Sequence, residues 1–294
     1  MKKQKIIAAT LLSLVSFHFC EAQDSAEMQT KKYVAPWFVE KFRVSAGFFV
    51  PINVSKIQVE PTGTNGGTDI NFENDLGFRK SASTFVGDFQ YRLKRRSRFD
   101  LSYFYINRKS SKTIQKDINF GDSTYPVNTD VDAFFKTGIY RVSYGYALFE
   151  KPRYEAGLMV GAHVVQFKVG LNAVGTTANI SLSNDFGVTA PLPDLGIWGG
   201  YTFGNRYAIT GELNYFSLKI GDINGRIFGG SFAFLYHATQ KLDISIDYVG
   251  LNIKVDAKKP RLEGILRWGY SGPSVNATYS FGKKYWTHGD QIRH

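Results

Sequence analysis

The sequence predicts an all-β protein: a transmembrane antiparallel up-and-down β-barrel of about ten strands, with eight or twelve strands as alternatives. Two observations indicate this class. Apolar and polar residues alternate through ten stretches, as in residues 99–105, where Tyr103 faces one way and Asp100 the other. The connections also alternate: those after strands two, four, six and eight are short, whereas those after one, three and five are long. Outer-membrane barrels show this parity, with short periplasmic turns and longer outer loops.

Each predicted strand is bounded by turn residues or by a loss of alternation. Pro51 and the glycine cluster at 63–67 end strand one in a long loop, and a loop rich in Gly, Thr, Asn and Ser follows strand five. Short turns lie at 94–97, 150–152 and 204–205. Strand three is predicted to run from the turn at 94–97 to about 119. The other nine strands are predicted at about 40–50, 81–94, 128–149, 153–173, 190–203, 206–219, 225–238, 241–256 and 261–282.

The ends of the chain predict export. Residues 1–22 have a lysine-rich start, a short apolar run and a small side chain at Ala22, which is typical of a signal peptide cleaved after that residue. We therefore predict a periplasmic lead-in at 23–36, the barrel at 37–282 and a periplasmic tail at 283–294. The expected location is the outer membrane of the cell.

The last strand carries a further indication, because its spacing of aromatic and small residues resembles the terminal-strand signal that the outer-membrane assembly machinery recognises. These residues are Tyr270, Gly272, Val275, Ala277, Tyr279 and Phe281. Several other segments are similar to a group of uncharacterised Gram-negative outer-membrane barrel proteins. They are Phe72 to Gly77, Phe99 to Tyr105, Phe120 to Asp122 and Tyr140 to Tyr146. The resemblance implies the fold, the location and the assembly machinery as a partner, and it implies no activity.

Inward-type positions carry charges of both signs. The candidate lumen charge network consists of Arg43, Asp88, Arg92, Asp100, Arg141, Asp243 and Asp247. One hypothesis is that these charges pair and fill a narrow lumen, since a desolvated charge without a partner costs several kcal/mol. The other is that they line a selectivity constriction in a pore. Under the first hypothesis, Asp88 and Asp100 reach the arginines of strands one, two and four, while Asp243 and Asp247 lie across the barrel.

The sequence predicts no catalytic, cofactor or metal site, and we expect the protein not to be an enzyme. No aspartate pairs with His163 beside a nucleophile at a readable spacing. Asp222 to Gly225 resembles a calcium loop but is more typical of a hairpin turn. A rim hydrolase is the lesser alternative, because ten-stranded barrels include the omptin proteases; that analogy rests on strand count alone.

The expected partners follow from charge and location. The formal net charge is +11, which in a barrel favours anionic lipid head groups over nucleic acid. The outer end of strand three carries four cations that would bind the phosphates of lipopolysaccharide. They are Arg108, Lys109, Lys112 and Lys116. The expected role is structural, or passive transport of a small solute. The alternative is surface binding or adhesion through the long outer loops.

Overall fold

The structure is a computed structural model, and it describes residues 35–63, 67–174, 181–258 and 261–282. The predicted signal peptide at 1–22, almost all of the predicted lead-in at 23–36 and the predicted tail at 283–294 lie outside the described residues. Among the residues that are described, none belongs to a helix with the length and apolar character needed to cross a membrane.

Ten strand positions form the wall of a barrel. The strands in chain order are β1 (Phe42–Phe49), β2 (Ile52–Pro61), β3 (Ile70–Asn71), β4 (Thr84–Arg92), β5 (Ser97–Thr113), β6 (Ile118–Phe120), β7 (Ser123–Tyr125), β8 (Asp130–Glu150), β9 (Tyr154–Val174), β10 (Ser181–Phe203), β11 (Tyr207–Ile220), β12 (Ile223–His237), β13 (Leu242–Lys258) and β14 (Leu262–Phe281). β6 and β7 form a separate hairpin, β2 continues β1 along β14, and β3 is a short addition to β2. The predicted count of ten antiparallel strands is therefore confirmed.

The sheet closes because β1 pairs with β14 as well as with β4. Phe42 lies opposite Phe281 on one side and opposite Tyr91 on the other. Its ring stacks on both, with ring centroids 5.1 Å and 4.9 Å apart. Closure leaves the wall without a free edge, which is the arrangement that satisfies backbone hydrogen bonds inside a bilayer.

The outward face is apolar in the half of the barrel that adjoins the short turns. The exposed apolar side chains there include Val44, Phe48, Phe85, Leu101, Tyr103, Val142, Leu158, Val160, Ile197, Leu213, Phe228, Phe232, Ile246, Tyr248 and Val275. Phe85 is 78% exposed and Ile246 is 63% exposed. A belt of this size would aggregate in water and is suited to lipid. The alternation predicted from the sequence therefore has the correct register.

Strand one ends before Pro51, as predicted, but the long loop expected directly after Pro51 is wrong at its start. β1 stops at Phe49, but the same edge of β14 pairs with β2 from Ile52 onward. Proline lacks the N–H needed for the ladder, so the pairing is interrupted at Pro51 and then resumes. The interruption is tight, because a Cβ on Gly272 would lie 2.2 Å from the carbonyl oxygen of Val50.

Two further boundaries differ from the prediction. Strand three was expected to reach residue 119, but β5 ends at Thr113, and residues 118–120 belong to the β6–β7 hairpin instead. The long loop expected after strand five is also wrong, because β10 already begins at Ser181 and pairs with β9 up to Val174. Only the first two outer connections are long, so the parity of the loops is weaker evidence than the sequence indicated.

The interior of the barrel is divided into two layers. Towards the long loops, the inward side chains of the strands are apolar and pack into one buried cluster. Towards the short turns, the inward side chains are polar or charged. On β13, for example, Asp243 and Asp247 face inward near the turn, whereas Leu251 and Val255 face inward in the other half.

Candidate functional site

The first long loop folds into the barrel. Phe72, Leu76 and Phe78 of this loop are almost fully buried in the apolar cluster. The Phe72 ring stacks on Phe78 at 5.2 Å and meets Phe135 of β8 edge to face at 5.2 Å. We call residues 72–78 the plug segment. Its apolar side chains lie inside the barrel, within the apolar cluster.

One ion pair ties the plug segment to the wall. Arg108 of β5 donates to Glu73 at 2.9 Å, and both side chains are about 95% buried, with exposures of 4% and 5%. The second guanidinium nitrogen of Arg108 donates to the Ser55 hydroxyl at 2.5 Å, and the other Glu73 oxygen accepts from the Ser55 N–H at 3.1 Å. The three residues therefore hydrogen-bond to one another inside a mainly apolar layer, and the carboxylate balances the buried charge of the guanidinium.

The second long loop covers the same layer. Ile118 and Phe120 of β6 and Tyr125 of β7 are fully buried in the apolar cluster. The Tyr125 hydroxyl donates to the carbonyl of Leu171 at 2.8 Å, and burial raises the pKa of that hydroxyl and keeps it protonated. The hairpin turns at Gly121, which has a φ of +66° and donates its N–H to Val59 of β2 at 3.1 Å.

A group of aromatic rings separates the apolar layer from the polar one. Tyr270 meets Phe49 at 5.4 Å and Phe104 at 5.2 Å between ring centroids, and Trp268 meets Phe135 at 5.7 Å. Tyr270, Phe49 and Phe104 also line the cavity beneath them. They form its ceiling.

The polar layer contains a cavity of about 350 Å³. Its floor is formed by the segment that precedes β1, where Phe38 and Val39 are buried against Ala208 and Leu235. Phe38 lines the cavity, and the neighbouring Trp37 ring lies 4.7 Å from the imidazole of His237. The cavity is therefore bounded by aromatic side chains both above and below.

The charges around the cavity are largely paired. Arg92 and Glu155 form a bidentate pair at 2.6 Å and 2.8 Å, and both are almost fully buried. Such fork-to-fork geometry is the strongest form of arginine–carboxylate contact. Because Arg92 ends β4 and Glu155 lies at the start of β9, this pair joins the wall strands at the periplasmic end of the lumen.

A second group joins strands β8 to β11. Arg141 donates to Glu212 at 2.5 Å and lies 3.5 Å from Asp194. The Nδ1 atom of His163 lies 2.9 Å from the other oxygen of Asp194, which is fully buried. The sequence did not reveal this pairing, since His163 and Asp194 are 31 positions apart and meet only because β9 and β10 are neighbours. The sequence does contain one signal: the position of each residue in the apolar–polar alternation of its strand indicates that both side chains face inward.

The network differs from its prediction in most of its pairings. Asp243 was expected across the barrel from the arginines, but closure of the sheet brings it to 3.6 Å from Arg43, and it also lies 2.6 Å from the Nδ1 atom of His237. Asp100 was expected to reach Arg43, Arg92 or Arg141, but it pairs with Arg98 at 3.1 Å and accepts from Gln90 at 2.6 Å. Arg98 was missed, although its alternation phase places it inward.

Two predicted acids keep no cationic partner among the described residues. Asp88 and Asp247 both line the cavity. Asp247 accepts hydrogen bonds from Ser274 and Asn276 of β14, and no ion pair involves Asp88 within the described ranges. These two acids line the cavity without an ion pair in the described part of the chain.

The four cations predicted to bind lipopolysaccharide do not share one surface. Arg108 faces the lumen and is buried, so it cannot reach a lipid phosphate. Lys112 donates to the carbonyl of Asn74, and Lys116 pairs with Asp75 at 3.0 Å, so both hold the first long loop. Lys109 is the member of the group that faces outward. The prediction is wrong for Arg108, because the inward and outward residues of β5 alternate through this stretch.

Within the described ranges there is no cluster of three or more histidine, cysteine or acidic residues that would hold a metal ion. The tight connection between β11 and β12 consists of Gly221, which has a φ of +56°, and Asp222, whereas Ile223 to Gly225 already belong to β12. It has the geometry of a hairpin turn.

Comparison with known proteins places the fold in a class. No known protein family matches the sequence, and no curated protein matches it. Among solved structures, the chain is similar to the outer membrane protease OmpT from Escherichia coli, with 11% identity, a TM-score of 0.52 and coverage of 83% of this chain and 100% of that chain. The translocator domain of the autotransporter NalP from Neisseria meningitidis has 10% identity, a TM-score of 0.41 and coverage of 83% and 89%. The toluene transporter TodX from Pseudomonas putida has 11% identity, a TM-score of 0.36 and coverage of 83% and 90%.

The chain therefore has the fold of a Gram-negative outer-membrane β-barrel, as the sequence predicted. The closed wall and its apolar belt place it in the outer membrane. The similarity to OmpT concerns the fold.

Proposed function

We propose that this protein is a plugged outer-membrane barrel with a structural role, which does not let solutes diffuse freely through its lumen. The observation that supports this proposal is the plug segment, whose apolar side chains cross the lumen and are held by the Arg108–Glu73 pair. Water and ions avoid a dry apolar layer because transfer of a charge into it costs many kcal/mol. The aromatic floor at Phe38 adds a second barrier.

Single-channel recording of the refolded protein in a planar bilayer tests this proposal. We expect no stable conductance steps at moderate voltage, while an open porin reconstituted in the same way serves as the positive control. Heat-modifiable gel mobility of the same sample shows that the barrel is folded. A steady, reproducible conductance from the folded protein would contradict the proposal.

Passive transport of a small solute is the second candidate. It is favoured by the cavity of about 350 Å³, because Asp88 and Asp247 line it without cationic partners. Such a cavity is suited to a small cation or a cationic solute, which would cross if the plug segment moved. Liposome swelling separates the two candidates: uptake of small solutes above that of protein-free liposomes supports transport, and Asp88→Asn would then lower the uptake of cations relative to neutral solutes. Surface adhesion through the long outer loops and hydrolysis at the rim of the barrel stay predictions from the sequence.

A further inference from the structure

Four cations form a row on the outer surface of four adjacent strands. Arg226 of β12 lies directly opposite Lys254 of β13. Lys254 also lies opposite Arg267 of β14, and Arg267 lies opposite Lys56 of β2. Neighbouring strands are about 4.8 Å apart, so the row is roughly 14 Å long. We call these four residues the basic row.

The basic row lies at the outer edge of the lipid-facing belt. Arg226, Arg267 and Lys56 are exposed, and the inward neighbours Ile227 and Leu266 are buried, so the row faces away from the lumen. On the same face, two residues nearer the membrane, Phe228 is 56% exposed and Val54 is 60% exposed. Two residues of a strand correspond to about 7 Å. The row is therefore at the level of the lipid head groups on the side of the long loops.

Such a row is unfavourable without a counter-charge. Like charges directly opposite each other on neighbouring strands destabilise a sheet. Lys254 lies 3.2 Å from Asp256, whereas Lys56, Arg226 and Arg267 make no ion pair with any residue of the described ranges. The sheet thus presents about three positive charges that have no ion pair in the described ranges. The residues two positions nearer the membrane are Phe228 and Val54 on the two outer strands and Asn252 and Gly269 on the two middle strands.

We propose that the basic row binds the phosphates of lipid A, the phosphorylated glycolipid part of lipopolysaccharide. The head group would place its phosphates along the row, while its acyl chains pack on the belt around Phe228 and Val54. Charge complementarity supports this occupant, and so does the continuity between the row and the apolar belt. A row of this length fits one rigid head group with more than one phosphate better than the single phosphate of a phospholipid. Arginine adds bidentate contacts to phosphate oxygens.

The experiment compares lipid A binding by the refolded full chain and by Arg226→Gln/Arg267→Gln. Binding is measured by native mass spectrometry in detergent and by the rise in thermal stability on addition of lipid A. We expect the double variant to bind roughly thirtyfold more weakly, since two cations near the head group are removed. The variant Arg226→Lys/Arg267→Lys, which retains the charges, should recover most of the affinity.

The matched control is Arg206→Gln/Lys241→Gln, which removes two exposed cations at the opposite, periplasmic rim. It should bind lipid A as the natural chain does. Dephosphorylated lipid A should bind poorly, and phosphatidylglycerol or inorganic phosphate should compete weakly. The proposal is overturned if the folded Arg226→Gln/Arg267→Gln variant keeps full affinity, if dephosphorylated lipid A binds equally well, or if phosphatidylglycerol or inorganic phosphate displaces lipid A at equal concentration.

Discussion

Glu73 and Arg108 are 35 residues apart in the chain and meet at 2.9 Å inside the barrel, in a layer that is otherwise apolar. This contact joins the first long loop to the wall of the barrel. Because of this contact, part of the loop packs in the interior of the barrel, and Arg108 holds it there. The first long loop is consequently packed inside the barrel by the folding of the chain itself.

Replacement of Arg108 by Met should destabilise the barrel by about 3–5 kcal/mol, because Glu73 would keep a buried charge without its partner. The double variant Glu73→Gln/Arg108→Met removes both charges and should recover most of the loss. Urea unfolding, followed by the heat-modifiable mobility of the barrel, measures both variants. Equal stability of Arg108→Met and the natural chain would show that the plug segment is not held by this pair.

Loss of the Arg92–Glu155 pair should cost far more than loss of a half-exposed arginine whose carboxylate has a second partner. Arg92→Met should cost about 3–5 kcal/mol, since it leaves Glu155 buried and unpaired. Arg96→Met is the control, because Arg96 is half exposed and Glu150, which lies 3.3 Å from it, keeps its ion pair with Arg95 at 3.0 Å. Its loss should cost about 0–1 kcal/mol. Similar costs for the two variants would indicate that the periplasmic end of the lumen is hydrated.

Arginine at adjacent positions of β12 should distinguish the lipid side from the lumen side. Phe232 is 55% exposed on the lipid-facing belt, so Phe232→Arg should cost roughly 2–4 kcal/mol near the bilayer midplane. Ser231 lines the cavity, which is also lined by Asp88 and Asp247, two acids that form no ion pair within the described ranges. Ser231→Arg should therefore cost less. Unfolding of both variants from lipid vesicles measures the difference, and equal costs would mean that the register is shifted by one residue.

Asp100→Asn should leave the conductance of the protein near zero and lower its stability modestly. Asp100 is partly buried and pairs with Arg98, and an asparagine there still accepts from Gln90. Arg98 would keep its position because its guanidinium carbon lies 3.6 Å from the centre of the Trp198 ring. Bilayer recording and urea unfolding of one preparation test both parts. A large, selectivity-shifted conductance would instead favour the constriction hypothesis.

The division of the lumen was present in the sequence and was missed. In β13, the apolar phase runs through Ile244, Ile246 and Tyr248 on the outward face, and then moves to Leu251 and Val255 on the inward face. This change of phase marks where the lipid belt ends and the apolar interior begins. Sequence reasoning treated the alternation as having a single phase, so it expected a polar lumen along the whole strand.

The sequence by itself determined the class of protein, because alternation with a period of two decides which side chains face lipid and how many strands the chain forms. Only the tertiary structure decided the contacts inside. Arg43 meets Asp243 because closure makes the first strand a neighbour of the last, and Arg108 meets Glu73 because a loop folds inward. Periodicity is local, whereas closure and loop insertion bring together residues that are distant in the chain, and their pairing depends on the packing of the whole barrel.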